Sequence, residues 1–307
     1  MSVIETQSLH KTYRTLFGKA SPALRGVSLN VEPSTIFGLI GANGAGKTTL
    51  VKILLGLSHA SSGSAQLLGG HPGDSGIRRR VGYLPEQMRV PDHMKARGFL
   101  RYMGQLHGVD SRLLDRRVPE LLEQVGLGGV RKFVKDFSKG MLQRLGLASA
   151  LVNEPEMLFL DEPTDGLDPV GRKEVRDLLT RLRSEGKTIF LNSHLLSEIE
   201  MVCDQIVILH NGEVARTGTP EEFTRGAGLT SIRVAAVGES VQAAAAMVDA
   251  SASWQGTTLR FSPRDRAHLN EMLDRLRAVP VEIEAVEPAK QSLEQFFLQV
   301  VGGASPA

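Results

Sequence analysis

Residues 41–49 read Gly-Ala-Asn-Gly-Ala-Gly-Lys-Thr-Thr: a glycine, four free positions, then Gly-Lys-Thr. That spacing suits a phosphate. Gly41, Gly44 and Gly46 let the backbone wrap close round an anion, so the successive N–H groups of Ala42, Asn43, Gly44, Ala45 and Gly46 point inward as a nest. Lys47 adds a point charge near the β and γ phosphates, and Thr48, followed by Thr49, offers a hydroxyl to Mg²⁺. A second chemical pair is Asp161-Glu162. The aspartate can hold Mg²⁺ directly or through water, and the glutamate can polarise an attacking water. Two adjacent acids at the end of an apolar run are costly unless a cation lies near them.

Weaker signals accompany these. Gln87 is a polar residue just past an apolar run, where open α/β sheets keep their ligands. His194, in Asn192-Ser193-His194, can donate to a γ-phosphate, although alone it reads as a surface histidine. Ser138-Lys139-Gly140 is either a plain helix cap or a second phosphate contact on a helix dipole. Tyr13 is either a stacking platform for a nucleobase or a half-buried strand tyrosine.

The elements that must position these groups are legible around them. Ile36-Phe37-Gly38-Leu39-Ile40 is the apolar run of a buried parallel strand leading into the loop. After the loop, Leu50, Ile53, Leu54 and Leu57 fall at helical spacing with one buried face. Met157 to Leu160 and Thr188 to Leu191 are further buried strands delivering Asp161 and Asn192, and Val81 to Leu84 delivers Gln87. Asp168-Pro169 starts a helix with its apolar face on Val175, Leu178, Leu179 and Leu182. Asn211-Gly212 joins hairpin strands Gln205 to His210 and Glu213 to Thr217. Ahead of the loop, strands are expected at Ser2 to Leu9 and Ala23 to Val31. Residues 88–135 turn charged and helical, at Arg97 to His107, Leu113 to Val125 and Arg131 to Lys135; the helix beginning at Ser138 carries this helical insertion on to about residue 150.

Composition bounds the rest. At 307 residues the chain accommodates a large α/β domain and a small one, and 41% hydrophobic with 23% charged residues permits a full core. A net charge of +2 announces no nucleic-acid partner. The one cysteine, Cys203, has no internal disulfide partner and reads as a small packed side chain, which suits a reducing compartment. There is no signal pattern and no apolar stretch near the ~18 residues of a membrane span, so work at a membrane would need another chain to supply it.

Taken in order, GANGAGKTT, the glutamine of YLPEQ, FSKGM, MLFLDEPTDGLDP and the histidine of LNSHLLSE make residues 1–220 resemble ATP-binding-cassette (ABC) ATPases. The resemblance implies an α/β fold of P-loop NTPase type, with an antiparallel β subdomain and a helical insertion. It implies ATP and Mg²⁺ as cofactors: Lys47 and the loop for phosphates, Thr48, Gln87 and Asp161 for Mg²⁺, Glu162 as general base, His194 as γ-phosphate sensor and Tyr13 as adenine platform. It further implies that Ser138 and Gly140 cover ATP held by a second ABC subunit, a homodimer by expectation, with Asp168 signalling across the interface. The family's commonest signature is Leu-Ser-Gly-Gly-Gln; here Ser138 and the glycine at 140 are kept, while Lys139 and Met141 differ. That variant is similar to a bacterial exporter-type branch whose membrane subunits are separate chains.

From Glu221 onward, 8 Lys/Arg stand against 11 Asp/Glu, a balance of −3, leaving +5 of the total +2 on the first 220 residues. Strands at Ser231 to Ala236, Thr257 to Phe261 and Val281 to Ala285, and helices at Val241 to Val248, Arg266 to Arg277 and Ser292 to Val300, suggest a small α+β domain over 221–307. Trp254 and Phe296-Phe297 read as its core. The expected function is ATP hydrolysis driving an exporter through a membrane-spanning permease subunit, with residues 88–135 facing that partner and the protein lying on the cytoplasmic face of the membrane. The alternatives are an importer subunit, or a soluble ABC ATPase acting on nucleic acid or ribosomes.

Overall fold

The computed structural model describes residues 2–14 and 20–302. The chain forms two compact units, Met1–Thr219 and Pro220–Ala307. The first unit opens with β1 (Ile4–Arg14) and β2 (Ala20–Val31), then β3 (Ile36–Gly41), α1 (Lys47–Leu54), β4 (Ser62–Leu67), the short α2 (Ser75–Arg78) and β5 (Val81–Leu84). Three helices follow: α3 (Ala96–Leu106), α4 (Ser111–Gln124) and α5 (Lys139–Leu151). The unit closes with β6 (Met157–Asp161), α6 (Pro169–Ser184), β7 (Thr188–Asn192), α7 (Leu196–Val202), β8 (Gln205–His210) and β9 (Glu213–Gly218).

Six strands form one sheet in the order β5-β6-β7-β3-β8-β9, parallel throughout except for β9 against β8. Buried on both faces, these strands can be apolar at nearly every position, as the sequence of β3, β6 and β7 is. Their register is marked by aromatic rings. Phe37 of β3 stacks on Phe190 of β7 at 5.5 Å between centroids, and Phe190 meets Phe159 of β6 at 5.3 Å. All three rings are fully buried, and each such pair adds about 0.5–1.5 kcal/mol beyond area burial. A Cβ on Gly38 would lie 2.9 Å from Cys203 Sγ and 3.0 Å from Ile199, so the glycine lets the α7 segment pack directly on β3.

A separate antiparallel sheet has the order β2-β1-β4. The first strand runs further than its apolar pattern suggests. Ser8 adopts φ 43°, the register shifts between Thr6 and Leu9, and pairing then resumes to Arg14. Lys11, Thr12 and Tyr13 are therefore strand residues, Tyr13 lying opposite Ser21.

Between β5 and β6 the chain is helical, with one correction. The helix expected at Arg131 to Lys135 is absent: Lys95 bridges Phe133, Val134 N–H donates to Met94 carbonyl, and a single 3-10 turn spans Val134–Asp136. A five-residue polar run is too short to offset helix nucleation, and the backbone finds partners on a neighbouring segment instead. Asp110 caps α4 through Arg112 and Leu113 N–H.

The second unit contains α8 (Pro220–Thr224), β10 (Arg225–Val234), α9 (Glu239–Val248), β11 (Ser253–Gln255), β12 (Thr258–Phe261), α10 (Arg266–Arg277), β13 (Ile283–Lys290) and α11 (Leu293–Val301). Its antiparallel sheet has the order β11-β12-β10-β13. Ile232, Val234, Leu259 and Phe261 meet Met272 and Leu276 in its core, with Trp254 packed against them. Phe296 is buried and stacks on Phe223 at 4.9 Å, while Phe297 is only half-buried. No helix among the described residues is long and apolar enough to cross a membrane.

The tightest approach in the large sheet is at Gly82 of β5, where a Cβ would lie 2.0 Å from Ala150 carbonyl oxygen and 2.7 Å from Leu158. Gly82→Ala is expected to destabilise the first unit by about 1–3 kcal/mol. That corresponds to a fall of about 2–4 °C in Tm per kcal/mol, and an unchanged melting curve would refute this packing.

Candidate functional site

The parallel strands end together, and the chemical groups gather at their carboxyl ends, where open α/β sheets place ligands. β3 ends at Gly41 and α1 begins at Lys47, so the intervening loop turns directly into a helix N-terminus. Gly46, the residue before α1, has φ 106°; a Cβ there would also lie 2.6 Å from Ala23 carbonyl oxygen. No side chain caps this helix start, which leaves first-turn N–H groups available to an anion. Ala42, Asn43, Gly44 and Thr48 are exposed, Thr49 is half-buried, and Ala45 is packed beneath them. Lys47 Nζ folds over the loop and donates to Gly41 and Ala42 carbonyl oxygens at 2.5 and 3.2 Å. Burial lowers its pKa from the ordinary lysine value, while Asp161 and Glu162 act to raise it.

Asp161 closes β6 and lies directly opposite Asn192, the last residue of β7. Asn192 Nδ2 donates to Asp161 Oδ1 at 2.5 Å. Burial pushes the Asp161 carboxyl above its ordinary value; the Asn192 bond pulls it down, Glu162 and Glu86 push it up, and Lys47 pulls it down.

Glu162 adopts a left-handed backbone, φ 53°, a conformation a non-glycine residue holds only when its surroundings fix it. Those surroundings are visible. Its N–H donates to Asn192 carbonyl at 2.8 Å, and its own carbonyl accepts from Gln143 Nε2 at 2.6 Å. Its carboxylate accepts from His194 N–H at 2.8 Å and from Ser193 Oγ at 3.2 Å, and His194 Nδ1 lies 2.8 Å from Oε2. The glutamate is thus held by the segment that carries the histidine.

Lys47, Asp161, Glu162 and His194 are therefore brought to one face. Gln87 is exposed and follows β5, at the edge of the same carboxyl ends. Tyr13 has an exposed ring with Lys11 Nζ 5.0 Å from its centroid. Ser138 caps α5 by accepting from Met141 N–H, and Gly140 abuts Gly166 and Leu167. The contacts of this segment run to that turn rather than to residues 41–49. Asp168 caps α6, accepting from Gly171 N–H at 2.8 Å.

No role follows from the sequence for Gln143, Ser193, Asn192 or Glu86, although it places Asn192 and Ser193 at a strand's end. Gln143 left a signal: it is a buried polar residue on an apolar helix. The others act through pairings between distant strands and carried no local mark.

The oxygen donors Thr48, Gln87 and Asp161 suit a hard cation such as Mg²⁺. Asn192 Oδ1 is buried without a hydrogen-bond partner beside Asp161, a further oxygen facing that need. Among the described residues no group of three or more His, Cys, Asp or Glu is arranged to hold a metal ion, so Mg²⁺ here would draw other ligands from phosphate and water.

The chain matches the family model described as ABC transporter over residues 24–165. It is 38% identical to an uncharacterized ABC transporter ATP-binding protein of Nostoc sp., over 98% of this chain and 90% of that protein. It is 35% identical to a daunorubicin resistance ATP-binding protein of Streptomyces coeruleorubidus, over 91% of each. A solved ATP-binding subunit of an ABC transporter superposes with a TM-score of 0.66 at 31% identity, covering 72% of this chain and 92% of that one.

Because the folded state holds Asp161's proton more tightly than the unfolded chain, its contribution favours folding below the ordinary aspartate range and is lost as pH rises through the raised value. At neutral pH the ionised carboxylate is a standing cost. Asp161→Asn is expected to raise the nucleotide-free Tm at pH 7, with the gain vanishing in acid. Thermal scans across pH check both; a lower Tm at pH 7 refutes the burial cost.

Proposed function

This chain belongs to the ATP-binding subunits of ABC transporters, and from that premise we propose that it works as one of a pair of cassettes whose ATP hydrolysis drives export through a separate membrane-spanning subunit. The observation that carries this reading is a site complete on one side only. The phosphate loop, Asp161, Glu162 and His194 share a face, while Ser138 caps its own helix and Gly140 abuts residues 166–167, a segment we read as covering nucleotide on another copy.

In this reading the loop N–H groups and Lys47 hold the β and γ phosphates. Tyr13 stacks on the adenine, with Lys11 moving off its face. Thr48, Gln87 and Asp161 would hold Mg²⁺, which would supply charge neutralisation for the phosphates. Glu162 orients and polarises the attacking water, and His194 meets the γ-phosphate, exchanging its present contact with Glu162. Asp168 signals across the pair.

The membrane partner docks on the helical insertion, residues 88–135. A groove of about 270 Å³ lies where Met103 and His107 of that insertion meet Leu54, Leu57, Tyr83 and Asn153. Leu57 and Tyr83 of its lining are exposed, as are Tyr102 and Leu106, the chain neighbours of Met103 and His107; exposed apolar groups of this kind mark an interaction site. The protein would then sit on the cytoplasmic face of the membrane through that subunit. Export is favoured by the Ser138-Lys139-Gly140 segment and by likeness, extending into the second unit, to a protein named for drug resistance.

Glu162→Gln is expected to cut kcat by about 10²–10⁴-fold while ATP still binds, and to accumulate an ATP-bound dimer. Light scattering at saturating ATP with Mg²⁺ tests it; a chain that stays monomeric refutes the paired reading. Charging the apolar surface with Tyr102→Asp and Leu106→Asp should abolish recovery of a polytopic membrane protein from solubilised membranes. Undiminished recovery would place the dock elsewhere.

A further inference from the structure

Lys139 stands where the family's commonest signature has glycine, in the first turn of α5. Its ammonium lies 2.7 Å from Asp165 Oδ2. The stem lies flat across Gly166, where a Cβ would meet Lys139 Cγ and Cδ at 2.7 Å and where φ is +72°. Gly140 approaches the same turn: its Cβ would lie 3.1 Å from Gly166 carbonyl oxygen and from Leu167. The helix start and the turn are thus one contact, made by a long side chain and two bare backbones.

The turn leads directly to the hydrolytic glutamate. Asp165 N–H donates to Glu162 carbonyl at 3.1 Å, and Leu167 N–H donates to Thr164 carbonyl at 3.2 Å. Gln143, on the same helix as Lys139, donates to that same Glu162 carbonyl. The ion pair itself is a poor strut. Lys139 is 68% exposed and Asp165 33%, and exposed pairs contribute about 0–1 kcal/mol. A terminal phosphate carries more negative charge and more acceptor oxygens than one carboxylate, so it competes for the ammonium with advantage.

We propose that Lys139 is an exchangeable counter-ion: paired with Asp165 in the lone chain, it passes to the terminal phosphate of nucleotide held by a second copy. Asp165 is then released, and the turn bearing Glu162 loses one of its ties to α5, the Gln143 bond remaining. The proposal rests on the paired-cassette reading above. Lys139 is a positioning residue in its own chain's chemistry, reporting occupancy of the partner's site to Glu162.

The test uses the full chain carrying Glu162→Gln and reads the ATP concentration giving half-maximal dimer by sedimentation. Adding Lys139→Met should raise that concentration about fivefold or more, because a phosphate ligand is lost. Adding Asp165→Asn should lower it about two- to threefold, because the competing carboxylate is gone. A purely structural tether is broken by either substitution, so both would then shift the midpoint the same way. That result, or no change with Lys139→Met, overturns the proposal. Should Glu162→Gln alone fail to dimerise, the paired-cassette reading falls and takes this inference with it, an outcome distinct from an intact dimer with equal midpoints.

Discussion

The pairing of β6 with β7 is the constraint on which the site depends. It sets Asp161 opposite Asn192, and that register alone brings the Asn192 amide to the aspartate and the Asn192 carbonyl to Glu162 N–H. Glu162, Ser193 and His194 then follow within two residues of chain past the ends of the two strands. A slip of one position would turn every side chain to the other face. Three packed phenylalanines, one from each of β3, β7 and β6, mark the register of all three strands at once, one pair stacked and the other tilted. Hydrophobic packing thus supplies the precision that the polar groups need.

The left-handed backbone at Glu162 is the second consequence of that pairing. The residue must leave the strand sharply, and the bonds from Asn192, Gln143, Ser193 and His194 hold it there. Both carboxylate oxygens are engaged by the 193–194 segment. The position of the histidine and that of the glutamate are thereby joined.

Much of this was legible because the relevant physics is local. The glycine loop, the strand before it and the helix after it are written in contiguous residues, as are the Asn211-Gly212 hairpin and the Asp168-Pro169 helix start. Strands and helices of the second unit were readable from periodicity, apart from the short α8 and the three-residue β11. What was not legible depends on distant chain. Nothing near Arg131 announces that Lys95 would bridge Phe133 and deny a helix. Nothing near Leu9 announces that β1 resumes past a bulge and carries Tyr13. Gln143, Asn192 and Ser193 matter only because strands and helices far apart in sequence converge on Glu162.

The buried thiol behind β3 has a practical consequence. Cys203 is the chain's one cysteine, it packs under Gly38, and burial pushes its pKa far above the ordinary thiol value. Thiolate is the reactive form, so this sulfur is inert to maleimides and methanethiosulfonates in the folded protein. Spin labels or fluorophores can accordingly be attached at introduced surface cysteines without first removing the native one. The motions of each unit then become measurable in a chain whose core is untouched.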